Sequence, residues 1–186
     1  SLTVNGSGIL SVLPATGLSS LGTVGGPFTP SSVVYTLANT GTAPLSWTAA
    51  ATMPWVSLSA ASGTLAVGGT TTVTVSINSG ANALLAGSYA DTATFSNTSS
   101  GQGNTARGIQ LRVLRLPVLS LLANPNPALI TLLLQGDAGV TYVVQQTQDF
   151  VNWSGVVTNA AAADGTLLTV LPLGSGARFF RAVMPP

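Results

Sequence analysis

Apolar and polar residues alternate with a period of two along most of this chain, and no stretch keeps the 3.6-residue period of an amphipathic helix. The alternation predicts strands over residues 32–40 (SVVYTLANT), 45–50 (LSWTAA), 70–78 (TTTVTVSIN), 87–97 (GSYADTATFSN) and 106–114 (ARGIQLRVL). Shorter strands are expected over 9–13, 55–60 and 63–67, and a single helical turn over 81–87. Asn39-Thr40-Gly41, Ser62-Gly63, Gly68-Gly69 and Gly101-Gln102-Gly103-Asn104 supply the turn chemistry between them. Seven or eight short antiparallel strands in about a hundred residues read as an immunoglobulin-like β-sandwich.

A second strand set follows Leu114-Arg115-Leu116-Pro117, over 118–123, 129–136, 142–149, 154–160, 165–172 and 177–184. Six strands are one short of the seven of a minimal sandwich of this type. The expected architecture is all-β, with two immunoglobulin-like antiparallel β-sandwich domains in tandem and a short N-terminal β-arm. Its boundaries are 1–8 for the arm, 9–114 for the first sandwich, 115–117 for the linker and 118–186 for the smaller second sandwich.

The arm has a pattern of its own. Leu2, Val4, Leu10 and Val12 fall on even positions and would share one face of an extended strand, while Gly6 and Gly8 between them carry no side chain. Residues 9–13 have a place as the first strand of the first sandwich. Ser1 to Gly8 have no evident partner there, and the six-stranded second domain offers one in another molecule.

Composition narrows the chemistry. Five Arg and four Asp are the only charges, for a net of +1, and the chain has no Cys, His, Lys or Glu. The mean hydropathy of +0.52 separates it from disordered chains, which are polar and charged. Thiol and Ser-His-Asp catalysis, disulfides and the usual transition-metal ligands are excluded, and no metal or other cofactor is expected. Asp137 and Asp164 fall in apparent turns, where Asp serves the backbone. An enzyme is not expected. A net of +1 argues against nucleic acid as a partner. No apolar run reaches the ~18 residues of a spanning helix, so membrane insertion is not expected. The start at Ser1 without a hydrophobic leader predicts a secreted, cell-surface protein whose signal peptide has been removed.

The first domain carries a further signal. Asn39-Thr40-Gly41, Trp47, Trp55-Val56-Ser57-Leu58 leading to Ser62-Gly63-Thr64-Leu65, Thr72-Val73-Thr74-Val75 and Ala86-Gly87-Ser88-Tyr89 occur in order. The stretch over roughly 9–114 resembles the BACON family of immunoglobulin-like modules. That resemblance implies a secreted bacterial module proposed to bind carbohydrate or mucin, and it brings no catalytic residues. The second domain, through Tyr142-Val143-Val144-Gln145, Asp149-Phe150-Val151-Asn152-Trp153 and Arg178-Phe179-Phe180-Arg181-Ala182, is similar to a small C-terminal β-module of secreted bacterial proteins.

Candidate sites are few. Trp47, Trp55 and Trp153 could stack on sugar rings, but large indoles are more often core residues. Arg112 and Arg115, near the end of the first domain, suit an interdomain or intersubunit contact. Few charges and no Lys leave strand edges open to pairing. The leading expectation is therefore the structural subunit of an extracellular filament or surface fibre. Copies of the chain would join head to tail by donating Leu2, Val4, Gly6, Gly8, Leu10 and Val12 as an added strand. The alternative is a secreted carbohydrate-binding or adhesive module pair that acts as a monomer on surface glycans. A third reading is a spacer from a larger secreted enzyme.

Overall fold

The computed structural model describes residues 6–174 and 176–185, so Leu2 and Val4 lie outside the described residues. The chain is all-β and forms two immunoglobulin-like β-sandwiches. Contacts divide it into unit 1, Ser1–Val113, and unit 2, Leu114–Pro186.

Unit 1 contains β1 (Leu10–Leu13), β2 (Leu18–Thr23), β3 (Phe28–Thr29), β4 (Ser32–Asn39), β5 (Leu45–Ala50), β6 (Val56–Leu58), β7 (Ser62–Leu65), β8 (Thr70–Ile77), β9 (Gly87–Asn97) and β10 (Thr105–Leu114). A four-stranded sheet, β1-β4-β8-β6, packs on a six-stranded one, β3-β2-β10-β9-β5-β7. The expected helical turn is a 3₁₀ turn over Ser79–Ala83, begun two residues earlier than predicted because the Asn78 side chain caps it by accepting from the Gly80 amide.

The period of two decides the core. Tyr35 and Leu37, Leu45 and Trp47, Val73 and Val75, Ala93 and Phe95, Ile109 and Leu111 all point inward and are buried. Tyr35 and Phe95 meet edge to face with centroids 5.3 Å apart. The same phase also carries Asn39, Asn97 and Arg107 into the interior, at 1%, 2% and 9% exposure. A buried polar group must find partners, and all three find them on the N-terminal segment.

Asn39 Oδ1 accepts from the Ile9 amide at 3.2 Å and the Gly41 amide at 3.0 Å, while Nδ2 donates to the Ala43 carbonyl at 2.8 Å. Asn97 Nδ2 donates to the Gly8 carbonyl at 2.9 Å, and Ser100 Oγ reaches the same carbonyl at 2.7 Å. Arg107 donates from Nε to the Pro14 carbonyl at 2.9 Å and from a terminal nitrogen to the Val12 carbonyl at 2.6 Å. Tyr35 Oη donates to the neighbouring Thr16 carbonyl at 3.0 Å, and burial pushes its phenol up, against the opposing influence of Arg107.

These bonds correct the expectation of a donated arm over its described part. Leu10 and Val12 are core residues of their own unit, paired in β1 with Asn39 and Leu37 of β4. The Ser7 carbonyl accepts from the Thr42 amide at 2.9 Å. Gly6 and Gly8 are small because the chain passes against 42–45: a Cβ added at Gly8 would lie 2.7 Å from that of Leu45.

Unit 2 contains β11 (Val118–Leu122), β12 (Leu129–Gln135), β13 (Thr141–Thr147), β14 (Ser154–Ala160), β15 (Thr166–Pro172) and β16 (Phe179–Val183). Two three-stranded sheets, β11-β12-β15 and β14-β13-β16, enclose a small core of Leu132, Leu134, Tyr142, Val144 and Ala161. Asp137 secures its start: Oδ2 accepts from the Arg115 amide at 2.6 Å, Oδ1 lies 3.7 Å from the Arg115 guanidinium, and the Asp137 amide donates to Tyr142 Oη at 2.8 Å.

Removing one buried polar anchor leaves its partners unsatisfied, which costs roughly 2–4 kcal/mol. Asn97→Ala and Arg107→Met are each expected to destabilise unit 1 by that amount in urea denaturation. The double variant should lose less than the sum, because both anchors hold one segment. Asn159→Ala, on an exposed edge strand, should change stability by less than about 0.5 kcal/mol.

Candidate functional site

The two sheets of unit 2 do not close evenly. In the β11–β12 ladder Leu119 lies opposite Leu134 and Leu121 opposite Leu132, so both β11 leucines share the inner face with buried core residues. Leu132 and Leu134 are 3% and 0% exposed, yet Leu121 is 68% exposed. The inner face ends in the open at β11.

A groove of about 380 Å³ occupies that opening. Its floor is the inner face of the first sheet, at Leu119, Leu121, Ile130 and Leu132. Pro172 and Leu173 close one end, and Phe179 and Phe180 of β16 form the opposite wall. Among the described residues, both strands that flank it, β11 and β16, are the last in their sheets and have a free edge. The one charged side chain in the lining is Arg178, half-buried, with a long contact of 3.4 Å to Gln146 Oε1. Among the described residues it has no carboxylate within ion-pair distance.

A preset loop buttresses the β16 side. Asp149, between β13 and β14, accepts from the amides of Val151 and Asn152 at 2.9 and 2.8 Å, from Asn152 Nδ2 at 2.7 Å and from Thr147 Oγ at 2.8 Å. These donors, the Asn152 amide foremost, hold its carboxyl well below the usual carboxylate range. The loop turns through Phe150 at φ 60°, a left-handed conformation uncommon for a bulky residue. Thr147 Oγ secures that turn by accepting from the Phe150 amide at 3.0 Å. The Phe150 ring then packs on the groove residue Phe179, with centroids 3.9 Å apart, and stays 61% exposed itself. Trp153 Nε1 donates to the Phe150 carbonyl at 3.2 Å, and the Arg181 guanidinium covers the indole at 4.1 Å.

The sequence-based candidates fall elsewhere. Trp47 and Trp55, each 3% exposed, are core residues of unit 1 and offer no platform; Trp153 is half-buried beneath Arg181. Arg112 is exposed on β10, opposite Ser88, and Arg115 is engaged by Asp137 within unit 2. The groove itself escaped pattern reading, because Leu119 and Leu121 look like ordinary inward strand positions. The missing seventh strand was its only trace in the sequence.

No family model matches the chain, and no curated protein sequence matches it. Solved structures similar to it include the Escherichia coli chaperone DraB, at 10% identity and a TM-score of 0.40 over 92% of this chain and 95% of that one. The Pseudomonas aeruginosa CupB2 chaperone matches at 11% identity and a TM-score of 0.37, covering 91% and 98%. PapD-like domain 7 of human CEP192 matches at 15% identity and a TM-score of 0.39, covering 56% and 82%. The BACON resemblance is corrected here: no family model matches any part of the chain. The filament-subunit expectation, with copies of the chain as partners joined by a donated arm, fails on the burial of Leu10 and Val12 in their own unit.

Because the Asp149 carboxyl titrates lower in the folded loop than in an unfolded chain, it supports the loop fully above the unfolded value near pH 4. That support is lost only as the pH falls through the folded value. Amide exchange at Val151 and Asn152 should stay protected at pH 3, whereas Asp149→Ala should abolish that protection at pH 7.

Proposed function

We propose that this chain is an exported, non-enzymatic binding protein, and that unit 2 holds an extended apolar segment of another protein in the groove between β11 and β16. One observation carries the reading: Leu121 shares an inner face with buried Leu132 and yet is 68% exposed. An apolar inward position left open beside two free strand edges suits a strand supplied from outside. Main-chain hydrogen bonds to an edge give affinity, and pockets for alternate side chains give selectivity. Five residues of added strand would span about 17 Å, matching the length of β11.

The occupant is a different chain rather than a second copy. Every strand among the described residues is already paired within its own unit, and the N-terminal strand is tied down by Asn39, Asn97 and Arg107. Two chaperones among the similar structures are recorded with a tip adhesin or tip subunit. The reading rests on the groove, not on them.

Fluorescence anisotropy with the full chain tests it, using capped peptides of about nine residues that place Leu, Ile or Val at alternate positions. Saturable binding is expected, weakened at least tenfold by Leu121→Asp, since burying one aliphatic side chain contributes about 1.5–3 kcal/mol. Leu85→Asp, at an exposed position of unit 1, should leave affinity unchanged. Absence of binding to any such peptide overturns the reading, as does concentration-dependent self-association that Leu121→Asp abolishes.

A further inference from the structure

Resting on that reading, we infer that the bound segment carries a carboxylate beside its apolar residues, received by Arg178. The groove lining is otherwise uncharged, and the guanidinium stands at the boundary between its apolar wall and the polar hollow around Gln146 and Asn152. Half-buried against apolar neighbours, it feels less screening than a free surface charge, so an opposite charge placed there counts for more. Its fork of donors fits a carboxylate in two-point contact.

The competing internal anion is Asp149, which lines the polar hollow with Arg178. That carboxylate is committed to Thr147, Val151 and Asn152 and makes no ion pair with Arg178. Gln146 Oε1, at 3.4 Å, is the sole hydrogen-bond acceptor the guanidinium reaches among the described residues, and it is neutral. Gly174 leaves the space that the guanidinium occupies. The arrangement is a cation kept in place with no ion-pair partner among the described residues, at the end of an apolar groove.

The test compares three peptides with one apolar pattern on the full chain. The first is capped and carries Glu at one end, the second is capped with Gln there, and the third has Gln and a free terminal carboxylate. At least tenfold tighter binding of either carboxylate peptide over the capped Gln peptide is expected. The preference should shrink with added salt and vanish in Arg178→Gln, with the Gln peptide bound within about twofold of its affinity for the unaltered chain. Equal affinity for all three peptides overturns the inference while leaving groove binding intact, and no binding at all overturns the reading beneath it. Should Arg178→Gln fail to fold, the salt dependence of the preference on the unaltered chain decides the question, and a salt-independent preference overturns the inference.

Discussion

Three polar side chains buried in unit 1 converge on one short stretch of backbone, and the architecture of that unit depends on them. Asn39 holds the Ile9 amide, Asn97 the Gly8 carbonyl, and Arg107 the carbonyls of Val12 and Pro14. Each sits at an inward position of a central strand, where an unpartnered amide or guanidinium would be costly. The segment they hold supplies Leu10 and Val12 to the core and so completes the four-stranded sheet. Among the described residues Arg107 meets no carboxylate. Its charge is distributed over carbonyl dipoles and the Thr105 hydroxyl, which binds β1 to β10 without an ion pair.

Unit 2 solves the same packing problem with less material. Its six strands form two three-stranded sheets, and the buried side chains lie mostly on the middle strands β12 and β13. The outer strands are left half-covered. Hydrophobic side chains such as Leu121, Val170 and Phe150 remain more than half exposed. The loop at Asp149 shows that the exposure is not slackness: Phe150 is held in an uncommon backbone conformation by a hydroxyl and packed against Phe179.

Much of this fold was legible in the alternation, because strands of a sandwich have one wet and one dry face and advertise it residue by residue. The six strands of unit 2 lie where the pattern put them. β2 did not show, and the reason is physical: its inward residues are Leu18, Ser20 and Gly22, while its other leucine, Leu21, faces outward at 47% exposure. The role of the N-terminal segment was missed because its partners are polar. Asn39 stands in the turn sequence Asn39-Thr40-Gly41, and nothing local in the sequence marks it, Asn97 or Arg107 as an internal anchor. The groove was half-legible: a strand count of six was visible, but which edge stays open depends on how two sheets approach.

The shallow core of unit 2 also sets how its stability must be described. With so few buried side chains, unit 2 under the proposed function has a melting point that belongs partly to the segment that covers it. A ligand that binds only the folded form adds RT ln(1 + [L]/Kd), about 2.7 kcal/mol at a hundredfold excess over Kd. Unit 1, with its large closed core, takes little from such linkage. Under the proposed function the two halves of one chain answer to different variables, the first to its own sequence and the second to the concentration of its occupant.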